Sequence, residues 1–431
     1  MPKTLTDWLA YIERQHPQSI DMGLERVREV ALRLRLGRPA ARVVTVAGTN
    51  GKGSTVAFIE AIARAAGLRV GAYTSPHLLA YGERVRIDGG QAAAPALVEA
   101  FAAVEAARGD TLLTYFEFGT LAALWLFERA ALDLVVLEVG LGGRLDATNL
   151  VDADVAVITT VDLDHQDWLG EDREAIGAEK AGIARAWKPL VLGDDDPPAS
   201  VLRRAYAIGA SAIRIGCDFF FEPLDAARWR WREVGFAIEL PAPALAAPVQ
   251  LRNAAVAIAA LRALDIDLPE PAIGRGVAGA RLDGRLQRFD RAGVAVSVDV
   301  GHNPQAAREL AAWLRATPVA GRTHAVYAAL ADKDAAAVVA AFDGLVDAWW
   351  LGGSLGAGAR GIGVEALAAR LQGSAVHAAR QLPDPGAALL AALQAAAPGD
   401  RVLVFGSFHA AEEALRVLGG PGSEAGTQRS V

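Results

Sequence analysis

Short apolar runs without polar alternation recur along this chain, and stretches rich in Ala and Leu separate them. ARVVTVAG (41–48), LRVGAYT (68–74), DLVVLEVG (133–140) and ADVAVITTV (153–161) carry many β-branched residues and read as strands. STVAFIEAIARAAG (54–67), FGTLAALWLFERA (118–130) and REAIGAEKAGIAR (173–185) read as helices. A strand that is apolar on both faces needs cover on both faces. Crossover helices supply it when the strands run parallel. The alternation therefore predicts an α/β fold built on a mostly parallel sheet.

The pattern breaks twice. Between 216 and 250, GCDFFFEPL, RWRWREVGFAIELP and PAPALAAP predict antiparallel hairpins and a loop, and LRNAAVAIAALRAL (251–264) then reads as a helix. ARLDGRLQRFD (280–290) loses helical period at Gly284, and a second α/β series starts at VAVSVDVG (294–301). Two domains are expected: 1–283, with the antiparallel insertion at about 216–250, and a smaller one at 284–420. The tail, 421–431, is small and polar and is expected to be disordered.

Charge and composition exclude several classes. With 43 Lys+Arg against 50 Asp+Glu the formal net charge is −7, which argues against nucleic acid as the main partner. At 52% apolar residues, wholesale disorder is excluded. The lone Cys217 rules out a disulfide framework and a cysteine zinc site, and fits a reducing compartment. The longest uncharged stretch, 385–399, holds two prolines and falls short of the ~18 apolar residues of a membrane span. The N-terminus carries Asp7 and no apolar leader core. A cytoplasmic monomer, with neither membrane nor nucleic acid as partner, is the expectation.

AGTNGKGST (47–55) follows the first strong strand and opens the first strong helix. Glycines there let backbone N–H groups face an anion, and the helix terminus adds its dipole. Lys52 supplies a point charge for β/γ-phosphates. Thr49, Asn50, Gly51, Lys52, Gly53 and Ser54 are the candidate nucleotide contacts. The plain G-x-x-x-x-G-K-[ST] form is not met: Val46 stands five residues before Gly51, and Gly53 separates Lys52 from Ser54. The loop alone indicates a nucleotide phosphate and names no reaction.

Further segments extend the pattern: TSPHL (74–78), LEVGLGGRLDATN (137–149), LDHQDWLG (163–170), EKAGI (179–183) and GHNP (301–304). With GTNGKGS (48–54), and in this order, they resemble the folylpolyglutamate synthase/dihydrofolate synthase family. That family is the folate branch of the Mur-ligase-like ATP-dependent amide-bond formers. The match spans nearly the whole chain. Gly53 is what the folate branch has, whereas muramyl ligases read G-T-N-G-K-T. Gly301 departs from the more usual Ala, small for small.

The resemblance implies a P-loop-type N-terminal domain and a smaller Rossmann-like C-terminal domain. It implies ATP and Mg2+ as cofactors, and addition of L-glutamate to 7,8-dihydropteroate and then to reduced folates through an acyl phosphate. Ser75, Glu138 and His165 would be the magnesium ligands; each follows a strand, where open α/β sheets bind ligands. Glu138 also reads as a buried capping carboxylate, His165 as a loop residue and Ser75 as a turn residue before Pro76. Lys52, Lys180 and His302 would be catalytic, Lys180 as a carbamate. From spacing alone Lys180 reads equally as an exposed, mid-helix lysine paired with a Glu. Asn253, Arg285 and Asp299 would contact the nucleotide, although Asn253 also reads as a helix N-cap and Arg285 as a linker ion pair.

For the acid substrate the resemblance implies Ser19, Ile20, Asp21 and Met22, then Thr114, Tyr115, Phe116 and Glu117, and Leu145, Asp146 and Ala147. Core packing is the alternative for Tyr115 and Phe116. Arg84 and Arg86 read as a solvated hairpin face or as a steering patch for a polyanionic tail. Three rivals stay open: a monofunctional folylpolyglutamate synthase, a muramyl-type amino acid ligase, and a nucleotide switch or motor without ligation.

Overall fold

The computed structural model describes residues 2–18, 20–374, 376 and 378–419. Ser19 and the tail 421–431, for which disorder was the expectation, lie outside them. The chain divides into two compact units, Met1–Ala244 with Gln250–Arg281, and Leu245–Val249 with Leu282–Val431. A single cut is therefore not what is seen. The Pro-rich loop after the antiparallel segment lends five residues to the second unit, where Ala246 and Ala247 pack on its core.

The first unit is built on eight strands: β1 (Ala40–Ala47), β2 (Val70–Tyr73), β3 (Val85–Ile87), β4 (Gly90–Gln91), β5 (Leu132–Glu138), β6 (Val155–Ile158), β7 (Pro189–Leu192) and β8 (Ser211–Arg214). Their order is β4-β3-β2-β5-β1-β6-β7-β8. From β2 to β8 all neighbours run parallel, and β3 and β4 add an antiparallel edge. The central strands are buried along nearly their whole length, as runs without polar alternation must be.

The helix Lys52–Ala65 is buried over most of its surface. It packs on the helices Gln250–Arg262 and Glu270–Gly279. At Gly276 the last of these comes so close that a Cβ would lie 2.3 Å from the Ile62 Cα. Only glycine fits there, so the helix that carries the phosphate loop is held rigidly from behind.

The segment 219–241 forms a three-stranded antiparallel sheet of β9 (Phe219–Pro223), β10 (Arg228–Glu233) and β11 (Phe236–Pro241), with β10 central. The RWRWR alternation explains its faces. Trp229 and Trp231 point inward and are buried, while Arg230 bridges Glu222 and Glu239 at 3.0 and 2.9 Å on the outer face. Trp231 stacks on Phe219, and its indole Nε1 donates to the Ala255 carbonyl at 3.1 Å. Ala255 lies two residues beyond Asn253, so this small sheet seats the helix that carries Asn253.

The second unit has six strands: β12 (Gln287–Arg291), β13 (Val294–Val298), β14 (Thr323–Tyr327), β15 (Ala348–Gly352), β16 (Arg380–Leu382) and β17 (Arg401–Phe405). Their order is β12-β13-β17-β14-β15-β16, parallel except for the β12–β13 hairpin. Tyr327, Phe342, Trp349 and Phe405 interlock in its core, with Phe342 and Phe405 centroids 4.7 Å apart. Among the described residues no helix is long and apolar enough to cross a membrane.

Trp231→Ala would leave a cavity under the antiparallel sheet and remove the indole bond to the Ala255 carbonyl. We expect a loss of about 3–5 kcal/mol in chemical denaturation. A loss below about 1 kcal/mol would show that the sheet does not brace the helix beneath it.

Candidate active site

The loop between β1 and the helix Lys52–Ala65 is pinned from one side by the residues that follow β6. Thr49 N donates to Thr160 O at 2.8 Å, Asn50 N to Thr160 Oγ1 at 3.1 Å, and Thr49 Oγ1 to Asp162 O at 3.0 Å. Thr159 Oγ1 donates to Asn50 O at 2.6 Å. Gly51 has φ 87°, and a Cβ there would meet Asn253 Oδ1 at 2.6 Å. Lys52 Nζ donates to Gly48 O at 2.9 Å and Thr49 O at 3.2 Å, so its charge sits over the loop. Gly53 and Ser54 form the buried first turn, and the neighbouring Thr55 hydroxyl is buried with no hydrogen-bond partner in the described structure. A loop of N–H groups and a cation at the start of a 14-residue helix fits a polyphosphate. Asn253 lies in the first turn of its helix, hydrogen-bonded to Gln250 Oε1 at 3.0 Å and against Gly51, which replaces the N-cap reading.

Register brings the next two residues together. Tyr73 of β2 pairs with Leu137 of β5, so the chain beyond each strand emerges side by side. Ser75 N donates to Glu138 Oε2 at 3.1 Å, and Glu138 is 5% exposed. His165, with φ 53°, stands in the loop after β6 whose start walls the phosphate loop. Among the described residues no three His, Cys, Asp or Glu side chains cluster as a metal cage. One carboxylate, one hydroxyl and one imidazole suit an ion that keeps water and substrate phosphates in its shell, as magnesium does.

Behind Ser75 lies a device that spacing did not reveal. Arg86 donates to Thr74 Oγ1 at 2.9 Å and to Glu83 O at 2.8 Å, and its Nε to Glu60 Oε2 at 2.9 Å. Arg86 and Glu60 are 14% and 8% exposed, so this is a buried ion pair that ties the phosphate-loop helix to the residue before Ser75. The solvated-face and steering readings of Arg86 are corrected. A strand pattern of two residues cannot tell which side of an edge hairpin a helix covers.

Lys180 is the last residue of the helix Arg173–Lys180 and is 4% exposed, so the exposed, mid-helix lysine is also corrected. Burial first, and then the Lys52 charge, push it from 10.5 down to about 7, while Asp164 and Asp146 pull the other way. Two lysines thus share one electrostatic neighbourhood.

The segments expected for the acid substrate meet at a few contacts. Asp146 is buried; burial raises its acid, against hydrogen bonds from Thr148 Oγ1 at 2.6 Å, Leu141 N at 2.9 Å and Thr148 N at 3.0 Å. Leu145 is half-buried and Ala147 is buried. The Phe116 ring lies over Gly140, 5.9 Å from the Tyr73 ring, and Met22 lies over Gly142. Thr114 and Glu117 form a reciprocal cap, and Arg26 joins Glu117, by Nε at 2.9 Å, to Asp21. Ile20 is half-buried in the same strand-free segment. Tyr115 is half-buried beneath the Arg84 guanidinium, 5.4 Å from its ring centroid. His77 Nδ1 accepts from Arg84 Nε at 2.8 Å, and burial, with the Arg84 charge, holds His77 down at about 4.

In the second unit Asp299 follows β13. Its Oδ2 accepts from Leu286 N at 2.8 Å and its Oδ1 from Gly301 N at 2.7 Å. Burial raises its acid, and the charges of Arg285 and His302 oppose this. Arg285 lies 5.6 Å from the Phe408 ring centroid and His302 6.3 Å from it, with His302 Nδ1 2.9 Å from Val300 O. Arg285, Asp299 and His302 are therefore one cluster at the carboxyl ends of β13 and β17.

The Mur ligase middle domain matches residues 46–261, and the Mur ligase glutamate ligase domain matches 284–408. The chain is 46% identical to the dihydrofolate synthase/folylpolyglutamate synthase of Escherichia coli over 96% of this chain and 95% of that one. It is similar to the structure of E. coli FolC in complex with DHPP and ADP, with a TM-score of 0.91 and 45% identity over 97% of this chain and 99% of that chain. A bifunctional folylpolyglutamate synthase/dihydrofolate synthase with Mn, AMPPNP and L-glutamate bound has a TM-score of 0.89 and 45% identity, over 97% of this chain and 98% of that one.

The lysine pair has a pH signature. Lys180 titrates at 10.5 when unperturbed and at about 7 when folded. Between those values the folded chain holds fewer protons, so stability rises with pH. Below about pH 7 the penalty is complete. In CO2-free buffer, Lys180→Met should gain most over the parent near pH 6 and least near pH 10. Denaturation curves giving a pH-independent difference would contradict a buried titrating amine.

Proposed function

The chain belongs to the dihydrofolate synthase/folylpolyglutamate synthase family of the Mur ligases, and from this premise we propose how its residues perform ATP-dependent ligation of L-glutamate. The acids are 7,8-dihydropteroate and, afterwards, reduced folates that already carry glutamate. The acceptor carboxylate attacks the γ-phosphorus of ATP and ADP leaves. The glutamate amine then displaces phosphate from the acyl phosphate and loses a proton. The observation that carries this reading is the alignment, in one unit, of the Lys52 loop with the Ser75–Glu138 pair and buried Lys180.

Lys52 and the amides of 49–54 hold the phosphates and offset their charge. Ser75, Glu138 and His165 are the residues that would hold magnesium, which when bound supplies hard positive charge to the transferring phosphoryl group. Burial and the Lys52 charge favour the free amine of Lys180, which is suited to attack CO2: the ammonium first gives up a proton, an N–C bond forms, a second proton leaves, and a cation beside Lys52 becomes an anion. That change removes the repulsion between the two lysines. Asn253, Arg285 and Asp299 are proposed nucleotide contacts, and His302 a catalytic group. Asp21, Phe116 and Asp146, with the segments that carry them, are the proposed pterin site; Asp146 and Asp21 offer acceptors and Phe116 a ring face.

The bifunctional reading is favoured over a monofunctional one by relatedness. Identity is 46% and 41% to two dihydrofolate synthase/folylpolyglutamate synthases, against 34% to the folylpolyglutamate synthase of Lacticaseibacillus casei. The proposed partners are small molecules alone, the proposed state a monomer and the proposed compartment the cytoplasm. A single cysteine, Cys217, and the formal charge of −7 support the last and the absence of a nucleic-acid partner.

Phosphate release in the presence of ATP, Mg2+ and L-glutamate tests this, with dihydropteroate and tetrahydrofolate as acceptors. Release should require acid and glutamate together; release from ATP alone would favour a nucleotide switch or motor. Lys52→Ala should lower turnover by about 10²-fold or more. Glu138→Ala should raise the Mg2+ concentration needed for half-maximal rate; an unchanged Mg2+ dependence would remove Glu138 from the metal site.

A further inference from the structure

Arg84 ends the short turn Tyr81–Arg84 and is half-buried. Its Nε donates to His77 Nδ1 at 2.8 Å, and its guanidinium carbon lies 5.5 Å from the Tyr81 ring centroid and 5.4 Å from that of Tyr115. Among the described residues no carboxylate comes within 4.0 Å of it. Its neighbours differ: Arg86 has Glu60, and Arg26 has Asp21 and Glu117. A guanidinium held against aromatic rings by a ring nitrogen that accepts its Nε–H keeps its two Nη groups for a planar anion.

The position narrows the choice of anion. His77 is two residues beyond Ser75, so Arg84 is anchored to the Ser75 loop, yet it makes no hydrogen bond to Ser75, Glu138 or the loop 48–54. The reacting carboxylate must face the phosphate and therefore belongs with those groups. A carboxylate near the reacting end but not itself reacting is what a glutamylated acceptor brings: its α-carboxylate. A pteroate has none.

We propose that Arg84 binds the α-carboxylate of the glutamyl end of a folate acceptor, with Tyr81 and Tyr115 as its floor and His77 as its anchor. The proposal rests on the ligase reading above and names the residue that separates its two acceptors. Arg84 is a specificity residue, not a participant in phosphoryl transfer.

Arg84→Met and Arg84→Lys test it against the parent enzyme. The ratio of kcat/KM for tetrahydrofolate to that for dihydropteroate should fall about tenfold or more in Arg84→Met, through KM, with Arg84→Lys intermediate. Equal losses with both acceptors, or no loss, would overturn the assignment. A second measurement needs no turnover: equilibrium binding of tetrahydrofolate and tetrahydropteroate, which share a ring system and differ by the glutamate. The parent should prefer the glutamylated ligand, and Arg84→Met should lose that preference. A parent without preference, or a variant that keeps it, overturns the proposal. A parent that ligates glutamate to neither acceptor ends the ligase reading instead, and the binding pair still decides on Arg84.

Discussion

The parallel register of four neighbouring strands is the constraint on which the first unit depends. In the order β2-β5-β1-β6 their carboxyl ends carry Ser75, Glu138, the loop 48–54 and the segment 159–165. These segments are far apart in sequence, and each adjacency costs loop-closure entropy. Burial of the apolar strands on both faces repays it. The polar ends then have nowhere else to go. Ser75 N meets Glu138, and Thr159 to Asp162 close on Thr49 and Asn50, as consequences of a register set by valines and isoleucines.

Around this frame the unit holds more buried charge than packing alone would favour. Glu60 and Arg86 form a pair whose desolvation is offset by bonds to Thr74 and the Glu83 carbonyl. For Lys180 the balance goes the other way: burial and Lys52 work against its charge, and Asp164 and Asp146 offset only part of this. A buried cation beside another cation is unfavourable for folding, and its persistence marks a site whose electrostatics serve something other than stability. Asp146 shows the converse. Its burial is matched by three donors, so a raised acid coexists with a fixed geometry.

Much of the architecture was legible because it follows from period and punctuation. VVTVA and LVVLE lack polar alternation and became central parallel strands; RWRWR alternates and became the middle of an antiparallel sheet. The antiparallel edge β3–β4 was less legible, since it has two and three residues and no sustained pattern. Leu245–Val249 could not be assigned to the second unit from composition, because a Pro- and Ala-rich loop carries no record of which core it touches. Among candidate residues, strand ends were legible for Ser75, Glu138 and Asp299. The burial of Lys180 was not: a lysine at a helix end has the same local pattern whether a neighbouring element covers it or water does. Arg84 and Arg86 show the same limit, since one finds Glu60 and the other two tyrosine rings, and only tertiary contact separates them.

The second unit repeats the device with different groups. Asp299 emerges from β13 beside β17, accepts two backbone N–H groups, and stands in the field of Arg285 and His302. Two parallel sheets thus each present one buried carboxylate at a strand end, and each carboxylate is oriented by backbone donors that no side-chain substitution can remove. The difference lies in the cations. The first unit has lysine at a loop that cradles an anion, whereas the second has arginine against a phenylalanine ring, a planar cation on an apolar face. A point charge suits a phosphate that changes geometry during transfer, and a flat guanidinium suits groups that must be held without reacting. On that physical ground the lysine of the first unit matches the charge of a phosphoryl group in transfer, and the arginine of the second matches a group that is held in place.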